Sequence, residues 1–168
     1  MSEEIVNKVA NSDLITLNLE DYFPKGERVL FDIKKWLFEE KFLKEKNFRE
    51  SVKTHDWSAY KNQHIAIDCS IDAIIPIWAY MLVSSNLSPF ASTIVKGNLQ
   101  NLETILFEKA INNIDFRIFL NQRVIIKGCS NLPVCDHAYT LITSKLMHKA
   151  KSIMYGEACS SVPIFKRK

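Results

Sequence analysis

Glycine is scarce in this chain: 4 residues in 168, set far apart at Gly26, Gly97, Gly128 and Gly156. A loop that wraps phosphate on bare backbone needs clustered glycines, so neither a GxGxxG fingerprint nor a GxxxxGK[ST] loop is present. Cysteine is limited to Cys69, Cys129, Cys135 and Cys159 with no CxxC pair, which excludes a compact zinc finger or ribbon. HExxH, GxSxG and the kinase and deaminase signatures are absent as well. The two signs of charge nearly cancel: 22 Lys and Arg against 19 Asp and Glu leave +3, too little to point to nucleic acid. Long hydrophobic runs are missing too. The longest, "IDAIIPIWAYMLV", has 13 residues and contains Asp72 and Pro76, too short to cross a bilayer.

The opening "MSEEIVNKVANSDLI" is acidic and polar, unlike a secretory leader, so a cytoplasmic protein without membrane contact is expected. In a reducing compartment the cysteines are expected to be thiols, metal ligands or redox groups rather than structural disulfides. Lysines gather at 34–53 and 145–168, but the first group is interleaved with Glu39, Glu40, Glu45 and Glu50 and reads as a solvated helix face. The basic ending "FKRK" reads as a frayed terminus.

What is present is a chain that is 47% apolar and 24% charged, enough to bury a core as a single domain over 1–168. Residues 1–27 read as a loosely attached arm with an edge strand in "LITLNLEDY", closed by a turn at Pro24 and Gly26. Residues 28–62 read as a helical segment, with Ile33, Trp36, Leu37, Phe42, Leu43, Phe48 and Val52 near helical spacing. Residues 63–168 then alternate. The β-type runs "HIAID", "STIVK", "QRVIIK" and "KSIMY" are separated by helical stretches over 70–82, 101–111 and 136–150. That rhythm predicts an α/β fold with a mixed, mostly parallel sheet and helices on both faces, preceded by the N-terminal helical segment. No repeat of solenoid length is apparent.

The strand reading gives the thiols a common place. Cys69, Cys129 and Cys159 each follow a predicted strand and each is followed by serine, so parallel strands would bring all three to the carboxyl edge of the sheet. Open α/β sheets bind ligands there. Ser70 is a natural helix cap at that position, and a helix start beside Cys69 or Cys129 would favour thiolate. Three readings follow. The cysteines are buried small hydrophobes at strand ends; or they are ligands of zinc or an iron–sulfur cluster, completed by His55, His137 or Cys135; or one is a nucleophile with a histidine base. His55 beside Asp56 could be an imidazole ligand oriented by a carboxylate, or part of a polar loop in which Asp56 caps and Trp57 anchors. His64 and His148 read as structural.

Five blocks, "ERVLFDIKKWLF", "HDWSAY", "CSIDAIIPIWAYML", "KGCSNLPV" and "KSIMYGEACSSVPIFK", resemble a family of uncharacterised bacterial proteins catalogued as domain of unknown function 2480. The resemblance runs from about residue 4 to the C-terminus. It implies a small cytoplasmic bacterial protein with no established activity, similar to accessory factors found near iron–sulfur assembly systems. The family pattern matches at His55, Asp56, Cys69, Cys129 and Cys159 and does not require Cys135 or His137. Taken together, these readings favour a zinc or iron–sulfur site of His55, Cys69, Cys129 and Cys159, with Asp56 orienting the imidazole. They also favour a homodimer through apolar helix faces and a protein partner in metal or cluster handling. The catalytic residues of any reaction are not specified. The alternatives are a thiol-dependent enzyme, with Cys129 attacking and His55 or His137 as base, or an interaction protein with buried thiols.

Overall fold

A computed structural model describes residues 14–128, 131–157 and 159–168. In chain order its elements are β1 (Leu14–Leu17), β2 (Arg28–Asp32), α1 (Glu45–Thr54), β3 (His64–Asp68), α2 (Ile77–Leu87), β4 (Thr93–Lys96), α3 (Leu99–Asn112), β5 (Arg123–Ile126), α4 (Asp136–Met147), β6 (Ser152–Glu157) and β7 (Ser160–Lys166). Short 3₁₀ turns follow β1 and β2 and precede β3 and β5. The strands form two sheets, β1-β5-β6-β7 and β2-β3-β4. Every pairing is parallel except the β6–β7 hairpin. The α/β class and the mostly parallel pairing expected from the sequence are therefore present, spread over two sheets.

One expectation is corrected. The start of the 28–62 helical segment is the strand β2, in register with β3 from Arg28↔His64 to Asp32↔Asp68. Val29, Leu30 and Phe31 favour a pleated surface, and pairing with a buried parallel neighbour outweighs the helical spacing of the residues that follow. Glu39 and Glu40 then take left-handed backbone, φ 49 and 53, which no continuous helix can contain. Helix appears only at α1, whose Phe48 and Val52 are buried.

The chain divides into two compact units, Met1–Pro24 with Phe107–Lys168, and Lys25–Leu106. The core of the first gathers Leu17, Leu19, Phe107, Ile111, Val124 and Ile142. The core of the second gathers Phe31, Phe48, Trp57, Ile65, Ile67 and Val83.

The two units repeat one pattern, 59 residues apart. The 3₁₀ turns Trp57–Tyr60 and Phe116–Phe119 differ by that offset, and so do the helix caps Pro76 and Cys135. Asp56 and Asp115 each accept an amide hydrogen bond from two residues on, at 3.0 Å. Asn62 and Asn121 then both adopt left-handed backbone, φ 62 and 57, and Gly97, just after β4, and Gly156, near the end of β6, both take φ beyond +100°. Core residues correspond as well: Phe48 and Phe107, Val52 and Ile111, Ala79 and Ala138, Leu87 and Leu146. The opening strands fit the scheme. Asn18, just after β1, and Asp32, the last residue of β2, each cap the 3₁₀ turn that follows.

Candidate functional site at the carboxyl edges of the sheets

In each unit, the inner parallel strand runs into a short loop carrying a Cys-Ser pair. In the second unit, β3 ends at Asp68 and Cys69 follows, half-buried against the core. The Ser70 amide donates to Asp32 Oδ1 at 3.1 Å, and the same oxygen accepts the Lys34 amide at 3.0 Å. Burial works against ionisation of Asp32, but the hydrogen bonds from Ser70 and Lys34 outweigh it and hold the carboxyl below its ordinary range. Tyr80 of α2 lies beside this loop. Burial raises its hydroxyl pKa, and the nearby Cys69 and Asp68 push it in the same direction. Lys96, the last residue of β4, stands over the Tyr80 ring, 5.3 Å from its centroid.

The first unit uses the same device with other residues. Beyond β5 come Lys127 and Gly128, then Cys129 and Ser130, which lie outside the described residues. Glu20, from the turn after β1, accepts the amides of Asn131 and Leu132, the latter at 2.7 Å. These bonds, the Leu132 amide foremost, lower the Glu20 pKa against the opposing effect of desolvation. A carboxylate from the turn or strand end next door thus holds backbone amides beyond the inner strand in both units, that of Ser70 in one and those of Asn131 and Leu132 in the other. The sequence reading missed both carboxylates. Asp32 lay in the segment read as helix, and nothing near Glu20 in sequence signals a partner more than a hundred residues away.

The ends of β5 and β6 approach closely at two glycines. A Cβ on Gly128 would lie 3.2 Å from Gly156 Cα and 3.1 Å from the Tyr155 ring, so a side chain there would force these strand ends apart. Tyr155 donates its hydroxyl hydrogen to Gly128 O at 3.3 Å and packs edge-on against Tyr139 of α4. Cys159 is exposed in the turn between β6 and β7. A cavity of about 600 Å³ opens beside this edge, lined by Ile126, Tyr139, Met147, Tyr155 and Ile164 among others.

The remaining candidates are accounted for locally. His55 packs among the rings of Phe31, Trp36, Trp57 and Tyr60, with centroids 4.8–5.6 Å away. Its Nε2 is 3.0 Å from the Tyr60 hydroxyl. Ile114, 59 residues on, is its counterpart in the first unit. Asp56 does not bond the imidazole; its Oδ1 accepts both the amide and the hydroxyl of Ser58, while Trp57 donates to Val52 O at 2.9 Å. Cys135 is the N-cap of α4, His137 is exposed in its first turn and His148 is its exposed C-cap. His64 is buried, with Nε2 2.8 Å from Lys25 O. Ser70 does not cap a helix, since α2 begins seven residues later, and the helix starts do not adjoin Cys69 or Cys129. Among the described residues, no three His, Cys, Asp or Glu side chains converge as a metal-holding group.

Burial lowers the His55 pKa below 6.5, with Lys35 acting in the same direction and Asp56 opposing. A histidine held neutral in the native state takes up protons on unfolding. Its contribution to stability is therefore complete above the unfolded value and is lost as pH falls from about 6.5 toward the depressed native value. Denaturation midpoints measured between pH 7.5 and 5 are expected to fall, and His55→Phe is expected to flatten that decline.

Fold and site together define an α/β protein of two mostly parallel sheets, with a Cys-Ser pair following β3 and another following β5 in the sequence. The chain belongs to the family described as "Protein of unknown function (DUF2480)", whose family model matches residues 3–167. Neither the curated proteins nor the solved structures compared with it gave a match. Among the described residues, no helix is long and apolar enough to cross a membrane.

Proposed function

We propose that this protein binds a thiophilic metal, zinc or an iron–sulfur cluster, through Cys129 and Cys159, as an accessory factor in metal or cluster handling. The observation that carries this reading is the close approach of Gly128 to Gly156. Cys129 follows the first of these glycines by one residue and Cys159 follows the second by three. On this reading, those short stretches of chain bring two soft donors to the same edge of the sheet. The Glu20 carboxylate, which holds the amides of Asn131 and Leu132, anchors the far side of the Cys129 loop. Two protein thiolates leave coordination positions open for a partner's ligands, which suits cargo that is passed on better than a closed structural site. Cys69 and His55 belong to the other unit and are separate candidates.

The test is elemental analysis with an absorption spectrum of anaerobically purified protein. Stoichiometric zinc or iron is expected, with loss of most of it in Cys129→Ser and in Cys159→Ser and retention in Cys69→Ser. Metal-free protein, or metal that survives both substitutions, would sink the reading. Metal-free protein in which Cys129 alone alkylates rapidly would instead favour the thiol-dependent enzyme.

The reading includes self-association. Ile77 and Met81, one turn apart on α2, are 67% and 64% exposed, and Ile74 in the segment before the helix is 94% exposed. A second copy offering the same residues would cover them. Sedimentation is expected to give a dimer for the native chain and a monomer for Met81→Lys; a monomeric native chain overturns this part.

A further inference from the structure

At the opposite, amino edge of the first unit's sheet, three neighbouring strands place polar residues side by side. Arg123 of β5 is in register with Ser152 of β6, and Ser152 with Lys166 of β7. Cross-strand partners in register project from the same face of a sheet. They border a cavity of about 320 Å³ that Lys151 also lines, with Met154, Pro163 and Phe165 supplying apolar wall. Among the described residues, no carboxylate lies within ion-pair distance of Arg123, Lys151 or Lys166. Three cations gathered without a counter-charge repel one another, so the arrangement costs free energy unless an anion offsets it.

The second unit gives the comparison. By the 59-residue offset His64 stands for Arg123 and Thr93 for Ser152, with Arg28 of β2 on the far side of His64 and no strand in the place of β7. There the Arg28 guanidinium pairs with Glu103 at 2.6 Å, the His64 ring nitrogen bonds Lys25 O, and His64 and Thr93 are buried. That row pairs its guanidinium and buries its other two residues, whereas the first unit carries Arg123 and Lys166 exposed at a cavity. The basic tail is not frayed. Lys166 ends β7, the Arg167 amide donates to Lys151 O at 2.9 Å, and the Arg167 guanidinium reaches Asn121 Oδ1 at 3.4 Å.

We infer that the Arg123–Ser152–Lys166 row with Lys151 is a binding site for a compact phosphate-bearing small molecule. The guanidinium offers a paired donor fork to phosphate oxygens, the lysines add point charges, and the Ser152 hydroxyl adds a neutral donor. The volume is at the small end of ligand cavities, and Met154, Pro163 and Phe165 offer a surface for the ligand's carbon skeleton.

The test is calorimetric titration of the full chain with inorganic pyrophosphate at low ionic strength. Saturable one-to-one binding is expected, weakened at least tenfold by Arg123→Gln and by Lys166→Gln, and unchanged by Lys46→Gln on α1. Both substitutions are at exposed positions, and unchanged circular dichroism confirms that the variants fold. The Ser152 amide is expected to shift in nuclear magnetic resonance spectra as pyrophosphate is added. Absence of saturable binding, or equal binding by both variants, overturns the site. Displacement of pyrophosphate by a far lower concentration of a single-stranded oligonucleotide overturns the ligand class.

Discussion

Phe31→Ala is expected to destabilise the second unit by about 3–5 kcal/mol, the cost of removing a large aromatic side chain from a closed core. Phe31 is 1% exposed at the centre of a ring cluster. Trp36 meets it edge-on at 4.9 Å, Trp57 stacks on it at 5.6 Å, and Tyr60 and His55 close the remaining sides. These neighbours come from two 3₁₀ turns and the C-cap of α1. The Trp57 indole is tied to Val52 O and the His55 ring to the Tyr60 hydroxyl, which resists their collapse into the void. Single domains have only about 5–15 kcal/mol in all, so the variant is expected to lose about a fifth or more of its stability. Urea denaturation followed by tryptophan fluorescence reads the loss directly, because Trp36 and Trp57 both contact the ring. Phe31→Leu, which retains most of the volume, is expected to cost less than half as much. A Phe31→Ala midpoint within error of the native chain would refute the packing account.

Gly156→Ala is the second large effect. Gly156 holds φ +118, outside the region that side chains tolerate, and an added Cβ would lie 2.6 Å from Ser160 O, which is backbone of the paired strand. Backbone cannot rotate away as a side chain can. The strain is about 1–3 kcal/mol for the dihedral alone, with the clash in addition. The expected outcome is loss of the Gly156↔Ser161 pairing and weakened amide protection along β7, measured by hydrogen exchange, with the α2 amides unchanged. Because Lys166 belongs to β7, pyrophosphate affinity is expected to fall in the same variant. Intact β7 protection would refute the geometric reading.

The alternation of strands and helices from β3 to β6 was legible because each strand is a short apolar run bounded by turn residues and the helices between them are long apolar or striped stretches. However, α2 starts only at Ile77, and β7, beyond the last such run, was not legible. The strand at 28–32 was not, since five residues beside a Lys- and Glu-rich stretch hold no periodicity that competes with the helix pattern; pairing with β3 decided it. The repeat escaped for a related reason. Its offset of 59 residues exceeds solenoid periods, and β1, the opening strand of the first unit, is separated from β5 by the entire second unit. What recurs is mainly conformational: two Asp caps, two left-handed Asn residues, two positive-φ glycines and matched core positions.

For the site, the sequence by itself placed Cys69, Cys129 and Cys159 beyond strands, because a thiol's position relative to a β-type run is a local property. It could not place the Asp32 carboxylate on the Ser70 amide, the Glu20 carboxylate on the amides of Asn131 and Leu132, the Phe31 and Trp36 rings against His55, nor Arg123 and Lys166 on either side of Ser152. Those partners are far apart along the chain. Only parallel pairing and core packing, which depend on the whole fold, bring them together.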